Sequence, residues 1–298
     1  MSDLLLVTGA SGHLGQRVLH HLLDTLKVPA TRILAATRKP ENLSALASKG
    51  VAVRAADFDD SASLSEAFEG AGRMLLISTD AMDQPGRRLL QHKNAVDAAV
   101  RAGVSHVVYT SMPEPQGSPL LIAPDHAGTE AELASSVLPG WTVLRNHWYF
   151  ENLLRSLPGV LARGGKWFSA AGEGKLANIS RDDLALAAAS MLAGAYAGKG
   201  TYTLSGPQAL TTGQLAEAIS QTIGKPIQVI PAPVEALIQG MVGAGLPEPV
   251  ARALASFDTN TAAGRVATVT GDFKAITGRE PQPFSEWLVA NKVALGGA

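Results

Sequence analysis

Short apolar runs alternate with longer stretches of helical spacing along the first two-thirds of the chain. Runs such as LLLV, MLLIS and HVVYT are apolar at nearly every position, which is typical of parallel strands covered on both faces. This pattern predicts strands at 4–8, 33–37, 51–55, 74–78, 106–110, 142–145 and 200–206. It predicts helices at 13–27, 41–48, 61–69, 86–102, 126–136 and 182–196. The strand–helix alternation predicts the α/β fold class, with a Rossmann-type, doubly wound parallel sheet.

The pattern changes after residue 206. TTGQLAEAIS begins with a capping box, in which Thr211 precedes Gln214 by three residues, and it predicts a helix. IQVIPAP predicts a short strand, PVEALIQGMVGAGLPEPVARALASF predicts two helices broken around 245–247, and PFSEWLVANKV predicts a terminal helix. These elements predict a smaller, mostly helical C-terminal cap. We expect one domain over 1–146 joined by 178–206, and a second over 147–177 and 207–298.

Composition narrows the classes of partner and compartment. The 298 residues carry 25 basic and 26 acidic side chains, so neither nucleic acid nor a membrane surface is an expected partner. The chain has no cysteine, which excludes disulfides, thiolate catalysis and cysteine-bound metals. The seven histidines show no metal-ligand spacing, and no metal is expected. The apolar stretch 184–198 is too short to span a bilayer and no signal peptide is recognised, so we expect a cytoplasmic protein.

The segment TGASGHLG, at 8–15, follows the first strand and begins the first helix. In a G-x-x-G-x-x-G loop of this kind, Gly9 permits the turn, Gly12 lets the backbone approach a pyrophosphate, and Gly15 lets the helix pack on the strand. Free amides at the helix start then bind phosphate oxygens. No lysine follows, which disfavours a P-loop; a plain tight turn stays the alternative. Further cofactor contacts are expected from Ser11, His13 and Leu14.

The end of the second strand indicates which dinucleotide is bound. It reads AATRKPENL, with Arg38 and Lys39 but no acidic residue before Glu41. An arginine here suits the 2′-phosphate of NADP, whereas NAD sites place an acid on the ribose; an exposed basic turn is the alternative. Asp57 and Phe58 are expected at the adenine edge. The ends of later strands supply further candidates for the cofactor crevice: Ser78, Thr79 and Ser111.

Seven motifs occur in an order that resembles a known family: TGASGHLG, ATRKP, AADFDD, LLIST, VVYTSM, DHAGTEAEL and LRNHWYFENLL. The chain resembles the NmrA-like branch of the atypical short-chain dehydrogenase/reductases, and within it the NAD(P)H:quinone oxidoreductases and triphenylmethane reductases. The resemblance implies an NADPH-binding Rossmann domain, a small substrate-binding domain and a cleft between them. It implies that the nicotinamide lies near Ser111 and near three candidate catalytic residues, His126, Asn146 and Tyr149.

One feature of the larger superfamily is missing. The usual Tyr-x-x-x-Lys proton-donating pair is replaced by His126 and Glu130, and Glu130 has the opposite charge to lysine. Carbonyl–alcohol interconversion is therefore disfavoured, and His126 is expected to shape the nicotinamide end of the cleft. Hydride acceptors that need little protonation remain, such as quinones and cationic triarylmethane dyes. The aromatic run 147–150 suits a planar acceptor, with ordinary core packing as the alternative for Trp148 and Phe150.

The sequence thus predicts an NADPH-dependent oxidoreductase that transfers hydride to a quinone or a similar conjugated or cationic aromatic acceptor. The alternative is a non-catalytic NADP(H)-binding redox sensor of the NmrA type. The chain has no long insert or charged tail for a regulatory partner, which favours the enzyme. The expected partner is a small planar aromatic substrate, and a homodimer stays open.

Overall fold

The computed structural model describes residues 4–81 and 84–297. Its strands are β1 (Leu4–Val7), β2 (Ile33–Thr37), β3 (Ala52–Ala55), β4 (Ala71–Leu76), β5 (His106–Ser111), β6 (Gly140–Asn146), β7 (Lys166–Ser169), β8 (Lys175–Leu176), β9 (Lys199–Leu204), β10 (Leu210–Thr211) and β11 (Gln228–Pro231). Seven of them form one parallel sheet in the order β3-β2-β1-β4-β5-β6-β9. This is a Rossmann-type sheet, and the predicted fold class is confirmed.

Helices cover both faces of this sheet and build the rest of the molecule. They are α1 (His13–His20), α2 (Ser44–Ala47), α3 (Ser61–Phe68), α4 (Arg87–Arg101), α5 (Ala123–Ser135), α6 (Leu153–Ala162), α7 (Arg181–Ala193), α8 (Thr212–Ile223), α9 (Val234–Gly243), α10 (Glu248–Ala262), α11 (Asp272–Thr277) and α12 (Phe284–Ala290). Alternate residues of each strand enter different cores, because successive side chains point to opposite faces. In β1, Leu5 and Val7 join the core under α1 and α7, whereas Leu6 joins the core under α3 and α4.

The predicted strands of the sheet are all present; β2 has the predicted ends, and the others are shifted at one end or both. β4 shows the largest shift: it begins three residues before the predicted 74 and ends at Leu76, so Ser78 and Thr79 follow the strand rather than end it. The start of β4 was predicted too late because the charged Arg73 interrupts the apolar run of this buried strand. Its guanidinium donates to the carbonyl oxygens of Met191 and Leu192 at the end of α7, at 2.9 and 2.8 Å.

Two predicted helices are less regular than expected. The predicted helix 13–27 consists of α1 followed by a π-helical turn at His21–Thr25. The predicted helix 41–48 begins as a 3-10 turn at Pro40–Leu43 and continues as the short α2. The segment 184–198 belongs to α7 only as far as Ala193, where the helix ends. Among the described residues no helix is both long and apolar enough to cross a membrane.

A separate hydrophobic cluster lies in the C-terminal part of the chain, where side chains of α6, α8 and α12 pack around Phe150. Two small sheets accompany it: β7 pairs with β11 in parallel, and β8 pairs with β10 in antiparallel fashion. The predicted strand at IQVIPAP, the broken helix pair and the terminal helix are found as β11, α9 with α10, and α12. The sequence reading assigned no element to α6 or α11. The division into two domains stays a prediction.

Candidate functional site

Two adjoining cavities open at the carboxyl edge of the large sheet. The first has a volume of about 570 Å³ and lies beside the glycine loop that follows β1. Its opposite wall is formed by the residues that come directly after β4, the neighbour of β1. From β1 the next strands in sequence are added on one side of the sheet, and from β4 they are added on the other side. Ligands of open α/β sheets bind at such a switch point. The second cavity, of about 470 Å³, shares His13, Leu14 and Ser78 with the first.

The glycine loop has the backbone geometry of a phosphate cradle. Gly9 has a φ of +58°, and its carbonyl accepts from the Gly12 amide at 3.0 Å, which closes the turn before α1. A Cβ at Gly15 would lie 2.4 Å from the Gly9 oxygen, so helix and strand are in direct backbone contact there. A Cβ at Gly12 would meet only the Gly9 oxygen, at 3.2 Å, and otherwise open space. A pyrophosphate fits this open side of the loop.

The far end of the first cavity has the groups that would hold the adenosine part of a dinucleotide. Arg38 stands at the rim, exposed, and among the described residues no acidic side chain forms an ion pair with it. Its guanidinium is available to an anion. Ser11 Oγ lies 2.6 Å from Thr37 Oγ1 and fixes the loop to the end of β2. The cavity lining includes ten of the predicted cofactor residues: Gly9, Ser11, Gly12, His13, Leu14, Arg38, Asp57, Phe58, Ser78 and Thr79.

The remaining predicted site residues, Ser111, His126, Asn146 and Tyr149, lie in the wall of the second cavity. Both side-chain amide atoms of Asn146 are buried, and neither forms a hydrogen bond with another described residue. The guanidinium carbon of Arg181 lies 5.4 Å from the centre of the Tyr149 ring. Burial raises the pKa of Tyr149, and the Arg181 charge opposes that rise. Polar groups with unused capacity therefore meet an aromatic surface here.

The aromatic run 147–150 divides between cavity and core. Trp148 lines the second cavity, with its ring centre 4.1 Å from that of Phe257 and 6.5 Å from that of Tyr149. Phe150 points the other way and packs on Phe284 and Trp287, at 5.0 and 5.6 Å. The core alternative is thus right for Phe150 and wrong for Trp148.

Glu130, which occupies the position of the superfamily's lysine, is held in a buried ion pair. Its carboxylate accepts from Arg145 Nε at 3.0 Å and from Arg145 Nη2 at 2.6 Å. It also accepts from the Ser111 hydroxyl at 2.7 Å. The proton of Ser111 therefore points away from the cavity, and only the lone pairs of its oxygen are open to a ligand. The expectation that Glu130 does not replace the lysine agrees with this geometry.

His126 is buried, and both of its ring nitrogens are taken. Arg88 Nη2 lies 3.0 Å from Nε2, and the Tyr109 hydroxyl lies 2.8 Å from Nδ1. A guanidinium can only donate, so Nε2 accepts and the ring proton lies on Nδ1, toward Tyr109. Burial, reinforced by the Arg88 charge, holds the pKa of His126 well below its ordinary 6.5. The ring of His126 thus directs its one proton to Tyr109 and its lone pair to Arg88.

Several residues of the second cavity were missed by the sequence reading. Arg88 is the most consequential, because it is buried and in the cavity wall. The adjacent Arg87 pairs with Asp59 at the surface, and nothing in the doublet of arginines itself distinguishes the buried residue from the exposed one. Trp167 and Phe257 complete the aromatic wall from distant parts of the chain. Within 4–81 and 84–297, no cluster of three or more His, Asp or Glu side chains is arranged to hold a metal ion.

Comparison with known proteins identifies the family. The model of the NmrA-like family matches residues 1–288 of the chain. The chain belongs to the NmrA-like family. Quinone oxidoreductase 2 of Escherichia coli (strain K12) is 39% identical over 262 residues, which cover 88% of this chain and 89% of that protein. The NAD(P)H azoreductase of Xenophilus azovorans is 27% identical over 296 residues, which cover 99% and 100%.

Solved structures of two relatives share the fold over nearly the whole chain. The NADPH-dependent quinone oxidoreductase from Escherichia coli, complexed with NADPH, superposes with a TM-score of 0.89 at 36% identity. The alignment covers 96% of this chain and 98% of that one. The triphenylmethane reductase of Citrobacter sp., complexed with NADP(H), gives a TM-score of 0.87 at 34% identity, with 96% and 99% covered. The suspected family assignment is confirmed.

Proposed function

We propose that this protein is an NADPH-dependent oxidoreductase that transfers a hydride to a quinone or a similar conjugated or cationic aromatic acceptor. The observation that carries the proposal is the pair of adjoining cavities. One begins at a glycine cradle open to a pyrophosphate, and the other is walled by Trp148, Trp167 and Phe257. The quinone oxidoreductase of Escherichia coli and the triphenylmethane reductase of Citrobacter sp. support this acceptor class.

The residues of the first cavity would bind and orient the cofactor. The open side of Gly12 and the free amides of α1 would hold the pyrophosphate, and Arg38 would hold the 2′-phosphate. When bound, NADPH supplies the hydride. Ser111, Asn146 and Tyr149 would position its nicotinamide end and the acceptor where the two cavities meet. The protein then contributes chiefly orientation and a site walled off from water.

The choice of acceptor follows from three groups of the cavity that could donate a proton but are not placed or poised to do so. His126 donates to Tyr109, the Ser111 hydroxyl donates to Glu130, and burial raises the pKa of Tyr149. An aliphatic ketone needs a proton to arrive with the hydride, since otherwise it becomes an alkoxide. A quinone delocalises the resulting negative charge, and a cationic dye is neutralised. These two acceptors are therefore the ones that the described residues suit.

The alternative, a non-catalytic NADP(H)-binding redox sensor, would need only the first cavity. The aromatic second cavity favours the enzyme, because a sensor has no acceptor to place against the nicotinamide. We further propose that the protein acts in the cytoplasm, where NADPH is regenerated and a cysteine-free chain meets no difficulty. A homodimer stays a prediction that sedimentation would test.

Steady-state oxidation of NADPH, followed by its absorbance, tests the proposed function. The acceptors are small quinones, cationic triarylmethane dyes and an aliphatic ketone of similar size. We expect turnover with the conjugated acceptors and rates on the ketone lower by about a hundredfold or more, the usual worth of general acid catalysis. Efficient ketone reduction, or binding of NADPH with no turnover of any acceptor, would contradict the proposal.

A further inference from the structure

Arg88, the second residue of α4, places a buried positive charge in the wall of the second cavity. Its side chain is only 6% exposed. Nη2 donates to His126, and the buried Nε has no hydrogen-bond partner among the residues that the structure describes. Among the described residues no carboxylate lies within 4.0 Å of its guanidinium. A buried charge is normally paired, because removing it from water is costly. This guanidinium is thus left with capacity for an anion.

The surroundings of Arg88 fix its position without neutralising it. His126 accepts from it as a neutral ring, and the opposite nitrogen of that ring is held by Tyr109 at 2.8 Å. Asp125 and Asp80 act on the guanidinium through space, but neither forms an ion pair with it. Burial raises the pKa of Asp125, and the Arg88 charge opposes that rise. Because the hydrogen-bond partner of Arg88 is a neutral ring, the positive charge of Arg88 stays available to a ligand in the cavity.

Most of the other charged side chains that line the second cavity have the same sign as Arg88. Arg155 and Arg181 also line it, and Asp258 is the acidic residue among the described lining residues. The carboxylate of Asp258 already accepts from the Ser169 hydroxyl at 2.9 Å and from the Ala170 amide at 2.6 Å. Three arginines against one occupied carboxylate make this cavity favourable to anions and unfavourable to cations.

We propose that Arg88 contacts the acceptor and stabilises the negative charge that forms on its oxygen, so that the cavity selects quinones over cationic dyes. This inference rests on the proposed function and narrows its substrate class. A hydride carries two electrons and one proton. A neutral quinone that accepts one hydride becomes a hydroquinone monoanion, and a proton from water then completes the hydroquinone. Arg88 only donates hydrogen bonds in this step. A cationic dye loses its charge on reduction, so Arg88 opposes its binding and gains nothing from its product.

The test compares Arg88→Gln with the wild type in the absence of cofactor. The probe is 2-hydroxy-1,4-naphthoquinone, an anion at neutral pH, with 1,4-naphthoquinone as its neutral partner and malachite green as the cation. Calorimetric titration gives the dissociation constants. We expect Arg88→Gln to raise the dissociation constant of the anionic probe by about ten- to a hundredfold, which corresponds to the loss of one charge-assisted hydrogen bond. Binding of the neutral quinone is expected to change little, and malachite green is expected to bind more tightly.

Two further variants separate charge from structure. Arg88→Lys keeps the charge and should restore part of the anion affinity. Arg101→Gln removes an exposed arginine at the other end of α4 and should leave all three constants unchanged. In turnover, the ratio of quinone to dye kcat/KM should fall in Arg88→Gln. If that variant fails to fold, Arg88→Met, an uncharged and unbranched side chain that needs no hydrogen-bond partner, replaces it.

Three outcomes decide the inference and keep it apart from the proposed function. Unchanged affinity for the hydroxynaphthoquinone in the folded Arg88→Gln variant would overturn it. An equal loss of NADPH affinity in that variant would also overturn it, since Arg88 would then belong to the cofactor site. Arg88-dependent anion binding in a protein that turns over no acceptor would support the anion site and overturn the proposed function instead.

Discussion

Two glycines of the same loop should respond to a single added methyl group in opposite ways. A Cβ at Gly15 would lie 2.4 Å from the Gly9 oxygen and 2.8 Å from the Ala10 Cα, and both are backbone atoms that cannot turn aside. A Cβ at Gly12 would lie 3.2 Å from the Gly9 oxygen, and the φ of −75° there suits alanine. Gly15→Ala should therefore lower the stability of the fold, whereas Gly12→Ala should change only the space in the cavity.

The expected magnitudes follow from these distances. Overpacking a well-packed contact costs about 1–3 kcal/mol, and the backbone clash puts Gly15→Ala at the upper end. For a chain of 298 residues the melting temperature should fall by roughly 3–5 °C. Gly12→Ala needs a shift of a few tenths of an ångström, and about 0.4–1 kcal/mol of lost unfolded-state entropy offsets that strain. Its stability should stay close to that of the wild type.

Cofactor binding reverses the order of the two variants. The methyl group of Gly12→Ala stands where the pyrophosphate approaches the backbone, so NADPH should bind at least about tenfold more weakly, a loss of roughly 1.4 kcal/mol. Gly15→Ala, assayed well below its melting temperature, should bind more nearly as the wild type does. Thermal unfolding and calorimetric titration of both variants measure the two effects. Normal NADPH binding by a folded Gly12→Ala protein would refute the placement of the pyrophosphate at the open side of the glycine loop.

Three other predictions follow from the site and from the core. Arg38→Ala should weaken NADPH binding about ten- to a hundredfold and leave NADH binding nearly unchanged, because NADH has no 2′-phosphate; equal losses in calorimetric titration would contradict the assignment. His126→Ala should lower quinone turnover about tenfold, not the thousandfold or more expected for loss of an essential proton donor, in steady-state kinetics. Burial lowers the pKa of His106 from 6.5 to about 4, so the unfolded chain binds a proton that the native state refuses, and stability is lost as the pH falls from 6.5 toward 4. Urea denaturation at pH 7 and pH 5 should show that His106→Gln reduces this loss by about 2 kcal/mol, and an unchanged loss would count against the buried neutral ring.

Local patterns predicted the sheet because most of its strands contain a short apolar run with recognisable boundaries. The glycine loop was equally readable, since its three glycines serve backbone geometry over eight consecutive residues. The small sheets were not readable. β7 pairs with β11 across more than fifty residues, and neither strand is strongly apolar. The helix α6 contains Pro158, which argues against a helix until tertiary packing overrides it.

The second cavity shows why the rest of the site could not be predicted. On α4, Arg88 is buried while Leu90 is 57% exposed, the reverse of what residue type suggests. Arg88 is buried because it contacts His126, which lies on α5, and because it lines the second cavity. Neither contact can be read from the sequence of α4 itself. Trp148 and Phe150 are two residues apart and face opposite ways, so their separation into cavity and core required the cap that surrounds them.

A single-turnover experiment tests the central claim most directly. The protein is loaded with one equivalent of NADPH, mixed rapidly with excess 1,4-naphthoquinone, and both NADPH loss and hydroquinone formation are followed. The account predicts that NADPH disappears and hydroquinone forms in equal amounts, and that deuterium on the transferring carbon slows both equally. Persistence of bound NADPH in the presence of the quinone would identify a sensor and contradict the account.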